Sequence, residues 1–120
     1  MKAYTLGLYE KSMPNTLTWK EKLLEAREAG FDFVEISIDE TDEKLDRLNW
    51  TKEERLELVK IMYEVGVPIR TMCLSGHRKY PIGSNDEATC RRGMEIMEKA
   101  IELAEDLGIR IIQLAGYDVY

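Results

Sequence analysis

The sequence predicts an α/β fold: four parallel strands and three helices, laid out as the N-terminal half of a (β/α)8 TIM-barrel. Three observations predict it. A Ser or Thr stands three residues before a Glu at Thr18–Glu21, Thr51–Glu54 and Ser84–Glu87, the capping box that satisfies orphan helix amides in both directions. A glycine closes each helical stretch, at Gly30, Gly66 and Gly108, where the left-handed turn that ends a helix is open to a residue without Cβ. A short apolar strand then follows, at 33–37, 69–74 and 111–115. Nearly continuous apolar strands repeated after helices imply parallel strands covered by helices. Chemistry in such folds lies at the carboxyl ends of the strands.

Taken in order, Tyr4 to Tyr9 reads as the first strand, with a glycine that permits close packing. Residues 11–17 form a polar loop with Pro14 and Asn15. The first helix, 18–30, carries Trp19, Leu23 and Ala26 on one face. The second strand runs into an acidic stretch, Asp39 to Glu43, expected as a solvated loop. In the second helix the stripe is Leu56, Val59 and Tyr63, widened by Leu58 and Met62. The longest loop, Ser75 to Gly83, follows the third strand. The third helix aligns Met94, Met97, Ile101 and Ala104, with Ile96, Ala100, Leu103 and Leu107 beside them. The fourth strand leads into residues 116–120. A complete barrel takes about 250 residues, so residues 1–120 are expected to form half of one, with the other half absent. Its first and fourth strands are then bare edges, which favours self-association through them.

Composition narrows the function. A net charge of -6 repels nucleic acid, so no nucleic-acid partner is expected. No apolar run nears the roughly 20 residues of a membrane span, and Met1 to Tyr4 lacks an apolar leader core. The expectation is a cytoplasmic protein with no membrane partner. Cys73 and Cys90 have no spacing motif and read as free thiols of a reducing compartment.

His77-Arg78-Lys79 is the one concentrated group of donors at a strand's carboxyl end. Imidazole, guanidinium and ammonium together suit an anionic oxygen or a polarised carbonyl. Ser75 and Ser84, with the amino end of the third helix, add further donors. The other reading is a solvated surface loop. Glu35 and Gln113 sit in apolar strands, as structural hydrogen-bond anchors or as the floor of a site; a buried carboxylate needs a partner either way. Glu10 falls at the mouth, where it could touch substrate. With one His, the chain lacks the usual histidine-bearing set of three metal ligands. Motifs for phosphate-loop, dinucleotide and serine-hydrolase chemistry are missing too.

The segments Ala29 to Asp42, Met72 to Arg78 with Pro81 to Ser84, and Ile111 to Tyr120 resemble the pentulose-5-phosphate 3-epimerases. These are the L-ribulose-5-phosphate (L-xylulose-5-phosphate) 3-epimerases, also labelled hexulose-6-phosphate isomerases, of the xylose-isomerase-like TIM-barrel superfamily. The resemblance runs from Gly7-Leu8-Tyr9-Glu10 to the last residue and covers the family's first half. It implies epimerisation of a phosphorylated ketopentose at C3 through an enediolate held by a divalent metal (Zn or Mn). The two Glu, the Asp and the His that hold that metal belong to later strands. This chain is therefore expected to carry no catalytic residue, no metal ligand and no activity of its own. The resemblance places His77 and Arg78 near the sugar phosphate and makes Tyr9, Glu10 and Tyr117 candidates for lining the pocket. Aldose–ketose isomerisation of a hexulose 6-phosphate is the alternative reaction. A non-catalytic half-barrel that self-associates is the alternative of another class. A divergent endonuclease of the same superfamily is disfavoured by the acidic balance.

Overall fold

A computed structural model of the chain describes residues 3–116. The strands are β1 (Gly7–Tyr9), β2 (Phe33–Ile38), β3 (Ile69–Leu74) and β4 (Ile111–Leu114). The helices are α1 (Trp19–Glu28), α2 (Asp42–Leu45), α3 (Lys52–Val65) and α4 (Glu87–Leu107). The strands form one parallel sheet in the order β1-β2-β3-β4, the uninterrupted sequence of a barrel wall.

Two of the three expected capping boxes form. Thr18 and Thr51 each accept from the amide three residues on, while Glu21 and Glu54 reach back to the cap amides. The third does not. Asp86 caps α4 instead, because its carboxylate accepts from both the amide and the hydroxyl of Thr89. Ser84 accepts from the Asp86 amide, two residues too early to cap the helix. The closing glycines have φ of 85°, 83° and 78° and are the described residues with positive φ.

Helix count is the second correction. Where an acidic loop was expected, Thr41 caps α2 by accepting from the Lys44 amide. A 3-10 turn, Asp46–Asn49, continues it. The predicted stripes also rotate. In α3 the core face is Leu58, Met62 and Val65, whereas Leu56 and Tyr63 lie in solvent. In α4 the core face is Ile96, Ala100, Leu103 and Leu107, and Met94 and Ile101 are exposed.

The core lies between the helices and one face of the sheet. Val34, Ile36, Ile38, Met72 and Leu74 pack there with Leu23, Ala26 and Leu103, all completely buried. Alternation along the strands sends Tyr9, Glu35, Ser37, Thr71, Cys73 and Gln113 to the other face. In register, Tyr9 pairs with Glu35, Glu35 with Thr71, Ser37 with Cys73, and Cys73 with Gln113. That polar inner face is what the sheet presents to any ligand.

Candidate functional site

A cavity of about 300 Å3 opens at the carboxyl ends of β1, β3 and β4. Tyr9, Lys11, Cys73, Ser75, Arg78 and Gln113 supply its polar wall. The Tyr9 hydroxyl donates to Ser37 Oγ at 3.3 Å. Burial raises the phenol's pKa above its ordinary value, against the opposing Ser37 hydrogen bond, so it remains a neutral donor at physiological pH. A larger cleft, about 570 Å3, lies at the opposite end of the sheet, between the carboxyl ends of α3 and α4. Its wall includes Asp106, which is already paired with Lys52 and Arg55. That cleft is a seam between helices at the wrong end of the strands for barrel chemistry.

Of the expected site residues, the structure brings Tyr9 and Arg78 to one cavity. His77 turns away from it. Its ring is buried, and Nε2 lies 2.9 Å from the Gly93 carbonyl oxygen in α4. The ring therefore donates from Nε2 and pins the loop after β3 to the helix. Gly93 permits the approach: a Cβ there would lie 2.5 Å from the Tyr80 carbonyl oxygen. Tyr117 lies outside the described residues.

Glu10 is also at the carboxyl end of β1, but it faces inward. Its side chain is 0% exposed, and Lys22, Lys44 and Arg47 converge on it with side chains 4%, 9% and 11% exposed. Lys22 Nζ donates to Oε2 at 2.6 Å and Lys44 Nζ at 3.0 Å, while Arg47 grips both oxygens. Burial alone would push the carboxyl up. The Arg47 hydrogen bonds and charge, then Lys22 and the Ser37 amide, outweigh it and bring the pKa to about 2. For Lys22 burial wins, and its ammonium titrates below the ordinary value despite Glu10. The rings of Trp19 and Trp50 close the cluster, with Arg47 5.1 Å from one and 5.9 Å from the other.

This cluster finishes the sheet. β1 ends at Tyr9 and coils into a 3-10 turn, Glu10–Ser12, so Ser37 has no strand residue beside it on that side. Glu10 Oε1 accepts from the Ser37 amide at 2.9 Å, and Arg47 Nη1 donates to the Ser37 carbonyl at 3.1 Å. A carboxylate and a guanidinium thus stand where a carbonyl and an amide of β1 would have been, and both buried backbone groups are satisfied. Glu10 is an architectural residue here, not a free ligand at the mouth.

Glu35 faces the inner side, where the Thr71 hydroxyl donates to it at 2.7 Å. Lys11, Cys73 and Ser37 belong to the site region but were not singled out from sequence. A signal for two of them existed: Tyr9–Lys11 and Thr71–Cys73–Ser75 are polar residues two apart, the period of one sheet face. Arg47 and Lys44 stand three apart behind Thr41, a helical spacing masked by the acidic residues around them. Among the described residues no three His, Cys, Asp or Glu side chains converge on a point that could hold a metal ion. No described helix is long and apolar enough to cross a membrane.

A family model described as xylose isomerase-like TIM barrel matches residues 23–119. The L-ribulose-5-phosphate 3-epimerase UlaE of Escherichia coli (strain K12) is 56% identical over 119 residues, which is 99% of this chain and 42% of that protein. UlaE of Salmonella heidelberg (strain SL476) gives the same values. The chain thus spans about two fifths of the length of these curated relatives. Among solved structures, a D-psicose 3-epimerase in the presence of D-fructose superposes with TM-score 0.77 at 16% identity, over 98% of this chain and 39% of that one. The D-psicose 3-epimerase of Clostridium cellulolyticum H10 with D-tagatose gives 0.78 at 15% identity, over 97% and 38%. At such identities these two bear on the fold alone.

Proposed function

The chain belongs to the xylose isomerase-like TIM-barrel family, and on that premise we propose that it is the substrate-holding, N-terminal half of a sugar-phosphate 3-epimerase. The complete enzyme would interconvert L-ribulose 5-phosphate and L-xylulose 5-phosphate at C3. The reading is carried by one observation: the cavity at the strand ends is walled by hydroxyl, amide and cationic donors, while the nearby carboxylates are engaged elsewhere. Glu10 is bound by three cations, Asp39 by Lys11 and Thr41, and Glu35 by Thr71.

Moving a proton at C3 through an enediolate needs a base on one side of the carbon and an acid on the other. No described carboxylate lines the cavity, and Tyr9 and Lys11 have raised pKa values that keep both protonated, so we assign this half to holding and orienting the sugar. The described residues likewise do not fit the divalent metal that the family resemblance implies, and no step here is assigned to one. Tyr9 and Gln113 are placed to meet sugar hydroxyls, and Arg78 to meet the phosphate. His77 pins the loop that carries Arg78, and Glu10 anchors the turn that follows Tyr9.

The test is L-ribulose 5-phosphate in D2O with the purified chain, followed by proton NMR. Shifts of cavity residues without loss of the C3 proton signal are expected. Exchange at C3 sinks the holding-only reading, and absence of any shift sinks the substrate assignment.

One observation favours self-association as a second reading. Ile111 and Leu114 of β4 are 61% and 51% exposed, on the side of the sheet where no other described strand pairs. Apolar edge strands invite a further strand. Sedimentation giving a single 13.9 kDa species at every concentration would remove it.

A further inference from the structure

Lys11 follows directly on Glu10 yet serves a different surface. Its ammonium lies 2.7 Å from Asp39 Oδ2, with the lysine side chain 41% exposed and the aspartate 7%. Asp39 cannot follow the lysine outward, because its other oxygen accepts from the amide and hydroxyl of Thr41 at 2.9 and 2.6 Å. It is a fixed post. An ammonium has three N–H donors, and one of them suffices for Asp39. Lys11 also lines the cavity, together with Arg78 and Ser75, and no Asp or Glu joins that wall. The two charged side chains bordering the cavity are therefore both cationic and come from loops after two different strands. The hydrogen bond to Asp39 raises the pKa of Lys11, while burial of Asp39 is outweighed by Lys11 and Thr41, so that carboxyl stays low. Both remain ionised across the neutral range.

We propose that Lys11, held in place by Asp39, is a specificity-determining contact that with Arg78 forms a phosphoryl-binding end of the cavity. The inference rests on the epimerase reading above and names the residue that separates a phosphorylated from a free ketose. A neutral sugar gains little from an ammonium at the wall. A phosphoryl group has several anionic oxygens and can meet both cations at once.

The experiment compares the wild-type chain with Lys11→Met, Lys11→Arg and Asp39→Asn by NMR titration with L-ribulose 5-phosphate, L-ribulose, inorganic phosphate and acetate. Circular dichroism and a urea midpoint confirm that each variant is folded, because Lys11→Met leaves the buried Asp39 carboxylate with Thr41 as its remaining partner. Lys11→Met is expected to weaken L-ribulose 5-phosphate and inorganic phosphate about tenfold, the scale of one hydrogen bond to a charged group. Its affinity for L-ribulose should not change. Lys11→Arg should recover most of the loss, and Asp39→Asn should fall between, since it keeps the charge and frees the arm. If Lys11→Met binds the sugar phosphate as tightly as wild type, the proposal is overturned while the epimerase reading stands. If inorganic phosphate binds in a Lys11-dependent way but neither sugar does, the epimerase reading fails and the anion site survives. Acetate binding as well as phosphate would overturn the phosphoryl assignment, and no Lys11-dependent response to phosphate would overturn the site itself.

Discussion

Replacing Glu10 by Gln removes the negative charge on which two buried lysines and the partly buried Arg47 converge, and keeps the side chain's shape. The size of the effect follows from the titration of that carboxyl, at about 2 against an ordinary 4.5. With ~1.36 kcal/mol for each tenfold change in proton affinity, the fold favours the ionised form by about 3 kcal/mol. The sign is set by which state binds the proton. Between 4.5 and about 2 the unfolded chain takes up a proton that the fold refuses, so stability falls as pH drops through that window and is complete above it. Removing one partner of a buried ion pair costs about 3–5 kcal/mol, against about 5–15 kcal/mol for a whole domain. Glu10→Gln should therefore lower the urea midpoint steeply at neutral pH. Trp19 and Trp50 stack on the cluster, so their fluorescence reports the unfolding directly. The variant should also lose the part of the acid dependence that Glu10 supplies. Parallel pH dependence in the two proteins, or equal midpoints at neutral pH, would refute the reasoning.

Further outcomes are expected from the same urea assay. Gly93→Ala sets a Cβ against the Tyr80 carbonyl oxygen, a backbone atom that cannot swing aside; a loss of about 1–3 kcal/mol is expected from such overpacking. His77→Ala should cost about 1 kcal/mol for the lost bond to Gly93, and the pair should be non-additive because both changes loosen one contact. Among caps, Thr51→Ala should cost about 1 kcal/mol. Asp86→Ala should destabilise as well, whereas Ser84→Ala should change little, since Ser84 caps a turn and not the helix. The Asp86 carboxyl is held low by the Thr89 hydrogen bonds, so its contribution is present above the ordinary 3.8 and fades below it. A large Ser84→Ala effect would return the cap to the position expected from sequence.

The sheet and its order were legible because each unit carries three independent local signals that agree: a cap, a closing glycine and an apolar strand. Agreement across levels is what makes a pattern readable. The third cap was misplaced because two capping patterns overlap within six residues, Ser84 to Glu87 and Asp86 to Thr89. Choosing between them needs the Thr89 hydroxyl geometry, which spacing does not contain. α2 was missed because its helical signal is a single turn, shorter than any periodicity can establish. Arg78 and Tyr9, expected at the mouth from the resemblance and from their place at strand ends, both line the cavity. Glu10 and His77 were assigned to the mouth for the same reason, yet a strand-end residue can point either way. Their partners, Arg47 and the Gly93 carbonyl, are 37 and 16 residues distant, and no local pattern announces such pairings.

In most parallel sheets the rim is trimmed by the backbone itself, so a loop begins where its strand stops pairing. At Ser37 that boundary is drawn by a carboxylate and a guanidinium contributed from elsewhere. The entrance to the cavity is thereby uncoupled from strand length. The point at which the chain leaves the sheet is set there by two side chains, Glu10 and Arg47, in place of the pairing of a longer strand.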